Sequence, residues 1–200
     1  MAKLPPYAVL LRDIPVHRTF DVGPELVGEW IKGLPMRDAL GAPEGDPNAG
    51  KGHADLELYS EGTHVFATGT FKGELQVACS RCVEAVTLPI DERLMVTFMP
   101  KSELPADFDA INAPSVSDGE EGPEVSTEDL DLFAYDDDHI DLEPLFREQF
   151  VLRIPYAPLC KEDCKGLCAQ CGIDKNSATC KCEKPIDPRL AALKDLKLPT

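Results

Sequence analysis

The stretch Cys160–Cys182, CKEDCKGLCAQCGIDKNSATCKC, holds six of the eight cysteines of this 200-residue chain. The other two form an earlier CxxC motif, Cys79-Ser-Arg-Cys82. A CxxC motif places two sulfurs on one side of a tight turn, and a structural zinc site is closed by four ligands such as these thiolates. Eight cysteines make two complete sites with none left over, so the sequence predicts one or two zinc ions.

The spacing leaves open how the thiols divide between two sites. In one arrangement the last four cysteines close a compact site, and the CSRC motif meets the first two cysteines of the tail. A second arrangement uses Cys164 in the tail site and leaves Cys160 elsewhere. The strongest signal is Cys168-x2-Cys171-Gly172, because a glycine there lets the backbone turn its amides toward the sulfurs. The candidate ligands are Cys79, Cys82, Cys160, Cys164, Cys168, Cys171, Cys180 and Cys182.

Two other kinds of thiol chemistry compete with structural zinc. CxxC motifs also serve disulfide exchange, but neither motif here opens a helix after a strand as in a thioredoxin-like site. Four thiolates can also hold an iron–sulfur cluster, and the sequence leaves that alternative open. The chain contains no P-loop, no GxGxxG after a strand, no GxSxG and no HExxH. We therefore expect a protein that is not an enzyme and has no small-molecule substrate.

The net charge of −16 comes from one interval of the chain. No Lys or Arg lies between Lys101 and Arg147, and this interval holds fifteen of the 36 acidic residues, leaving 21 against 20 basic ones. Its central part, residues 112–129, is polar and rich in small residues, which favours a mobile linker over a mimic of nucleic acid. No apolar stretch is long enough for a signal sequence or a membrane span, so we expect a cytoplasmic protein without a membrane partner.

Alternating apolar residues from Ala54 to Thr97 predict an α+β fold with an antiparallel sheet as its core. Pro24 opens a helix whose apolar face includes Trp30, which we interpret as a core residue. The expected segments are a β-rich part with one helix (1–100), an acidic and partly disordered linker (101–140), and a helix with the zinc-stabilised Cys-rich region and a closing helix (141–200). His64 and the run Asp136–His139 are interpreted as structural or solvated residues rather than ligands.

Four features occur in the order found in a bacterial and plastid family. They are the CSRC turn after a strand, IDLEPLFREQFVLRIP (140–155), the block LCKEDCKGLCAQCGIDKN (159–176) with CKC (180–182), and the closing DPRLAALKDL (187–196). The chain resembles the YceD family, the large ribosomal RNA subunit accumulation proteins. The resemblance implies a role in large-subunit ribosome biogenesis, with ribosomal RNA or a large-subunit ribosomal protein as partner. Some family members lack most of the tail cysteines, so a tail metal site is not essential to the shared function.

The charge of the tail is compatible with contact to RNA. Phosphates attract lysine side chains, and a rigid metal-bound turn would present them at fixed positions. A zinc ion with four thiolates carries about −2 formal charge, which offsets part of this attraction. The candidate RNA-binding residues are Lys161, Lys165, Lys175, Lys181 and Lys184.

Overall fold

The computed structural model describes residues 4–104, 132–136 and 138–182. Within these ranges the chain forms seven strands and three α-helices. The strands are β1 (Ala8–Leu10), β2 (Val16–Val22), β3 (Gly50–Glu61), β4 (His64–Ala78), β5 (Ala85–Pro100), β6 (Leu132–Tyr135) and β7 (His139–Asp141); the helices are α1 (Pro24–Trp30), α2 (Pro35–Asp38) and α3 (Glu143–Arg153). Three predicted features lie outside the described residues: the centre of the acidic interval, the residue Lys184, and the closing helix that is predicted to begin at Asp187.

A five-stranded sheet in the order β2-β3-β4-β5-β6 forms the centre of the fold. Strands β2 to β5 pair antiparallel, whereas β6 runs parallel to β5 at the edge, with Thr97 opposite Leu132. The predicted α+β class is therefore confirmed, but the sheet is mixed rather than purely antiparallel. A separate antiparallel pair joins β1 to β7.

The buried face of the sheet follows from the alternation in the sequence. Strand β3 buries every second residue from Gly50 to Leu58 and exposes those between them. Helix α3 packs its aromatic side chains on this face, where Phe146 and Phe150 contact Phe71 with ring centroids 5.6 and 5.5 Å apart. One hydrophobic core thus includes residues from both the first and the third predicted segments. The three-segment division itself stays a prediction.

Trp30 lies in this core as predicted, with 8% of its surface exposed. Its ring packs against Phe150, and its indole N–H donates to Glu143 Oε1 at 3.3 Å. Helix α1 begins at Pro24, where the absent proline N–H leaves no unpaired donor. In α3, Asp141 Oδ1 accepts the Glu143 N–H at 3.0 Å, so this side chain stabilises the start of the helix.

Two local predictions need correction. The run from Tyr7 to Ile14, whose apolar and β-favouring residues between prolines predict a strand, forms only the short strand β1 and then a 3-10 turn over Leu11–Asp13. The interval 37–52, whose Gly, Pro and Ala content predicts a loop, ends inside β3 and contains a buried ion pair, Arg37 Nη2 to Asp46 Oδ2 at 2.7 Å. Burial of this pair ties the interval to the fold. Among the described residues, no helix is both long and apolar enough to cross a bilayer.

Candidate metal centres

The first cluster of thiols, called centre 1, lies where the end of the long β4–β5 hairpin meets the segment after α3. It contains Cys79 and Cys82, from the turn between the two strands, and Cys160 and Cys164. The Sγ atoms of Cys79 and Cys164 are 3.8 Å apart, and those of Cys82 and Cys160 are 3.6 Å apart. Centre 1 therefore joins parts of the chain that are distant in sequence.

The second cluster, called centre 2, is formed entirely by the tail. Its members are Cys168, Cys171, Cys180 and Cys182, whose sulfurs lie within 4.8 Å of one another, as do those of centre 1. The Sγ atom of Cys180 lies 3.6 Å from that of Cys171 and 3.2 Å from that of Cys168. The structure thus groups the cysteines in the first of the two arrangements considered from sequence, and Cys164 lies in centre 1.

Both clusters have the dimensions of a site for one metal ion. A tetrahedral ion with metal–sulfur bonds of about 2.3 Å holds its sulfurs about 3.8 Å apart. The closest sulfur pairs here, at 3.2 to 3.8 Å, approach that spacing. All are far longer than a disulfide bond of about 2.05 Å. Two clusters of four thiols can therefore each hold a metal ion.

The two CxxC turns share one backbone arrangement. In the first, Cys79 N–H donates to Glu84 O at 2.8 Å and Val83 N–H donates back to Cys79 O at 2.9 Å. In the second, Cys168 N–H donates to Ile173 O at 2.8 Å and Gly172 N–H donates to Cys168 O at 2.9 Å. The same turn is thus built twice, on unrelated surrounding sequence.

The residue after each CxxC has a left-handed backbone conformation. Gly172 has φ of +71° and adopts it without steric cost, in agreement with the sequence signal. Val83 has φ of +64°, where its β-branched side chain is disfavoured. The valine remains in this conformation because the hydrogen bonds of the turn and the packing of centre 1 determine the backbone around it.

Backbone amides stabilise one thiolate in each turn. Burial raises the pKa of Cys79, but hydrogen bonds from backbone N–H groups, Arg81 first, outweigh it and lower this pKa to about 6. In the second turn the N–H groups of Cys171 and Gln170 lower the pKa of Cys168 to about 6. Such N–H donors favour the charged sulfur, which is the form that binds a metal.

In each cluster a further thiol has a raised pKa, for a physical reason. Burial, followed by the neighbouring thiols, raises the pKa of Cys82 to about 12. Interaction with the thiols of Cys180 and Cys171 likewise raises the pKa of Cys182 to about 12. Four crowded sulfurs do not all ionise without a cation among them, so the donor set fits a divalent metal ion.

Two side chains that sequence reasoning did not single out connect the centres. Arg81 donates from Nη1 to Cys164 O at 2.9 Å, and its own carbonyl accepts the Leu167 N–H at 2.9 Å. Asn176 donates from Nδ2 to Cys164 Sγ at 3.3 Å and accepts the Lys165 N–H on Oδ1. Both residues lie inside the motifs quoted above, but only the folded chain shows what they contact.

The centres differ in their exposure to solvent. In centre 1, Cys79, Cys82 and Cys164 are 1%, 5% and 3% exposed and pack with Val86 and Leu159. In centre 2, Cys171 and Cys182 are exposed and only Cys168 is buried. Centre 1 is therefore part of the protein interior, whereas centre 2 is at the surface.

The remaining candidate residues lie as follows. Lys161, Lys165, Lys175 and Lys181 are exposed around the two centres. His64 lies at the far end of the hairpin, with Nε2 3.3 Å from Glu103 Oε2. Asp138 Oδ1 is 3.5 Å from His139 Nδ1, and no group of metal ligands forms there among the residues described.

These features define the class of protein. It is a small α+β protein with two four-cysteine clusters that could each hold a metal ion, one of them formed jointly by the β4–β5 turn and the segment after α3. The sequence match then identifies the family: residues 67–197 match the large ribosomal RNA subunit accumulation protein YceD, and the chain belongs to this family. The resemblance stated from the sequence motifs is thereby confirmed.

Curated relatives come from mycobacteria. The chain is 31% identical over 142 residues to the uncharacterized protein Rv2926c of Mycobacterium tuberculosis (strain ATCC 25618 / H37Rv), and equally to the uncharacterized protein Mb2951c of Mycobacterium bovis. These matches cover 71% of the chain and 60% of each relative. The uncharacterized protein ML1660 of Mycobacterium leprae is 29% identical over 146 residues, covering 72% of the chain and 58% of that protein. The chain thus matches less than two thirds of the length of these relatives, and no solved structure matches it.

Proposed function

We propose that this protein supports the accumulation of large-subunit ribosomal RNA as a non-enzymatic factor stabilised by zinc. The observation that carries the proposal is the family match over residues 67–197, which spans all eight cysteines. The family's description concerns large-subunit ribosomal RNA, and with zinc bound the two four-cysteine clusters would provide a rigid base from which side chains contact it.

Zinc is favoured for both centres by the donor set and the spacing. Zinc binds four thiolates as a closed tetrahedral site without redox chemistry. All four sulfurs of each centre lie within 4.8 Å of one another, which suits a single ion. An iron–sulfur cluster spreads its four thiolates over several irons and therefore holds them further apart. In each centre a bound zinc would supply cross-linking of the chain and no reaction step.

Contact with RNA would come from the lysines around the centres. Lys161 and Lys165 flank the cysteines of centre 1 in sequence, and Lys175 and Lys181 belong to the loop of centre 2. All four are exposed and form no salt bridge with the part of the chain that the structure describes, so their charges are available for phosphate. The guanidinium of Arg81 is instead used internally, on the carbonyls of Glu162 and Cys164.

The metal is tested by elemental analysis of anaerobically purified protein. We expect about two zinc ions per chain, from two sites of four thiolates each. Substitution Cys160→Ser or Cys180→Ser should remove about one of them. Iron in place of zinc, with absorbance that is bleached by reductant, would support the thiol-redox or iron–sulfur alternative and contradict the proposal.

The RNA contact is tested by binding to fragments of large-subunit ribosomal RNA at several salt concentrations. Each of Lys161→Glu, Lys165→Glu and Lys181→Glu should weaken binding and lower the salt slope by about one. The control is Lys51→Glu, an equally large charge change on β3, where Lys51 Nζ is 3.0 Å from Glu74 Oε1. Equal binding by all variants would point to a protein partner. In cells, loss of the protein should lower large-subunit relative to small-subunit ribosomal RNA.

A further inference from the structure

The five-stranded sheet has a second face, here called the outer face. On β3 it consists of every second residue from Lys51 to Glu61, all of them exposed. Their neighbours on β2, β4 and β5 are exposed or half-buried, and none of the described helices packs on them. This face is therefore open to solvent within the part of the chain that the structure describes.

One end of the outer face is apolar. Tyr59 and Phe66 lie opposite each other on β3 and β4, and their rings stack with centroids 5.1 Å apart and planes at 18°. Across the sheet, Phe66 lies opposite Thr97 on β5, and Thr97 lies opposite Leu132 on the edge strand β6, so these residues form one cross-strand row. In the next row Met95 is 72% exposed. Tyr59, Phe66, Met95 and Leu132 together form what we call the outer patch.

Two carboxylates that have no partner among the described residues border the outer patch. Glu57 and Glu61 lie two residues before and after Tyr59 on the same face of β3. Neither side chain makes a hydrogen bond or ion pair among the described residues, and both are exposed. At the other end of the face two carboxylates are paired with histidines. Asp21 Oδ1 lies 2.7 Å from His53 Nδ1, and Asp55 Oδ1 lies 2.6 Å from His17 Nε2.

We propose that the outer patch binds a cationic polypeptide segment. An apolar side chain of the partner would cover Tyr59 and Met95, while two basic side chains would reach Glu57 and Glu61. Those glutamates are four residues apart on a strand, or about 13 Å, and an extended segment presents every second side chain to the same surface. The surface thus fits a sequence of the form basic-x-apolar-x-basic.

Charge favours this partner over nucleic acid and over a second copy of the chain. A phosphate backbone would be repelled by Glu57 and Glu61, which outnumber Arg93, the basic residue two positions before Met95 on the same face of β5. Stacked aromatics by themselves suit bases. A second copy of the chain would bring the same two glutamates against one another in a self-complementary interface. This inference is independent of the metal centres and of the RNA contact proposed for the lysines.

The test uses a fluorescein-labelled peptide, Gly-Lys-Ser-Leu-Ser-Lys-Gly, and fluorescence anisotropy with the full-length protein. We expect measurable binding that Glu57→Lys weakens by about fivefold, the upper range for one exposed charge pair. Met95→Ser should weaken it by about tenfold, because most of this side chain would leave water on binding. A peptide with Ser in place of Leu should bind about tenfold more weakly for the same reason.

Matched variants control for general effects of charge and hydrophobicity. Glu92→Lys makes the same charge change at an exposed position of β5 on the opposite side of the strand. Leu152→Ser removes an apolar side chain that is 72% exposed, as Met95 is. Both should bind the peptide as the unsubstituted protein does.

Three results would overturn the proposal. One is no binding, or binding that is unchanged by Glu57→Lys and Met95→Ser. Another is binding of a single-stranded RNA oligonucleotide that Met95→Ser weakens, which would assign the outer patch to nucleic acid. The third is a shift from dimer to monomer in sedimentation when Met95→Ser is introduced, which would assign it to a second copy. Loss of RNA binding in the lysine variants would leave the peptide result unaffected.

Discussion

Loss of centre 1 should destabilise the whole fold, whereas loss of centre 2 should not. The matched pair of changes is Cys160→Ser and Cys180→Ser. Both cysteines are half-buried, and each lies 3.6 Å from a sulfur of its own cluster. The two substitutions are thus chemically alike and differ in the length of chain that the metal closes.

The difference in magnitude follows from loop closure. The link from Cys82 to Cys160 spans 78 residues, and a cross-link over that length removes about 4.5 kcal/mol of chain entropy from the unfolded state. The link from Cys171 to Cys180 spans 9 residues, which corresponds to about 2.6 kcal/mol. The entropy removed by centre 2 stabilises the tail alone, because all four ligands of this centre lie within residues 168–182.

Trp30 supplies the measurement. It is the single tryptophan of the chain and lies in the core, so its fluorescence during denaturation in urea reports unfolding of the sheet and α3. With zinc present, Cys160→Ser should lower the free energy of unfolding by up to about 4 kcal/mol. Cys180→Ser should change it by less than about 0.5 kcal/mol. Equal losses in both variants, or a greater loss for Cys180→Ser, would refute the assignment of centre 1 as the link between tail and sheet.

Two further predictions concern residues around the sites. Asp46→Asn should lower the free energy of unfolding by about 3 kcal/mol at neutral pH, because Arg37 keeps its buried charge without a partner. The N–H of Asn48, followed by Arg37, holds the pKa of Asp46 below its usual range. The native protein therefore keeps this stability above the unfolded pKa of about 3.9 and loses it as the pH falls through the lower folded pKa. A difference in the free energy of unfolding between the two proteins that persists unchanged well below that window would contradict this role. Gly166→Ala should cost about 2 kcal/mol in urea denaturation, since at φ of +69° its Cβ would lie 2.8 Å from the Arg81 carbonyl oxygen. Gly172→Ala has a similar φ of +71° with nothing within 4 Å, so only backbone strain of about 1 kcal/mol remains. This strain acts within centre 2, so it should change the free energy of unfolding reported by Trp30 by less than about 0.5 kcal/mol; equal effects of the two substitutions would exclude the close approach to Arg81.

The parts of the fold that local chemistry controls could be predicted from sequence. The alternation around Leu56 and Leu58 predicts a half-buried strand, and both side chains are buried on one face of β3. Pro24 predicts the start of α1, where the helix begins. The CSRC motif predicts a turn between strands, and the turn lies between β4 and β5. In each case the information lies within a few neighbouring residues.

Pairings over long distances could not be predicted in this way. The parallel position of β6 depends on where Leu132 meets Thr97, and no local pattern encodes that direction. The ion pair of Arg37 and Asp46 looked like part of a polar loop, because a sequence shows charge but does not show burial. Arg81 carries no signal beyond its place between two cysteines.

Residue types and spacing alone define the inventory of the metal centres: eight cysteines, two CxxC turns, and a glycine suited to the left-handed position after one of them. Thiolate chemistry and turn geometry are local, so a linear pattern is sufficient to indicate them. The folded chain was needed to show that Cys164 joins Cys79 rather than the tail cluster, and that one centre is buried while the other is exposed. The reason is that the packing of α3 and the register of the β4–β5 hairpin bring residues 79–82 to the segment 160–164, and spacing along a chain carries no information about either.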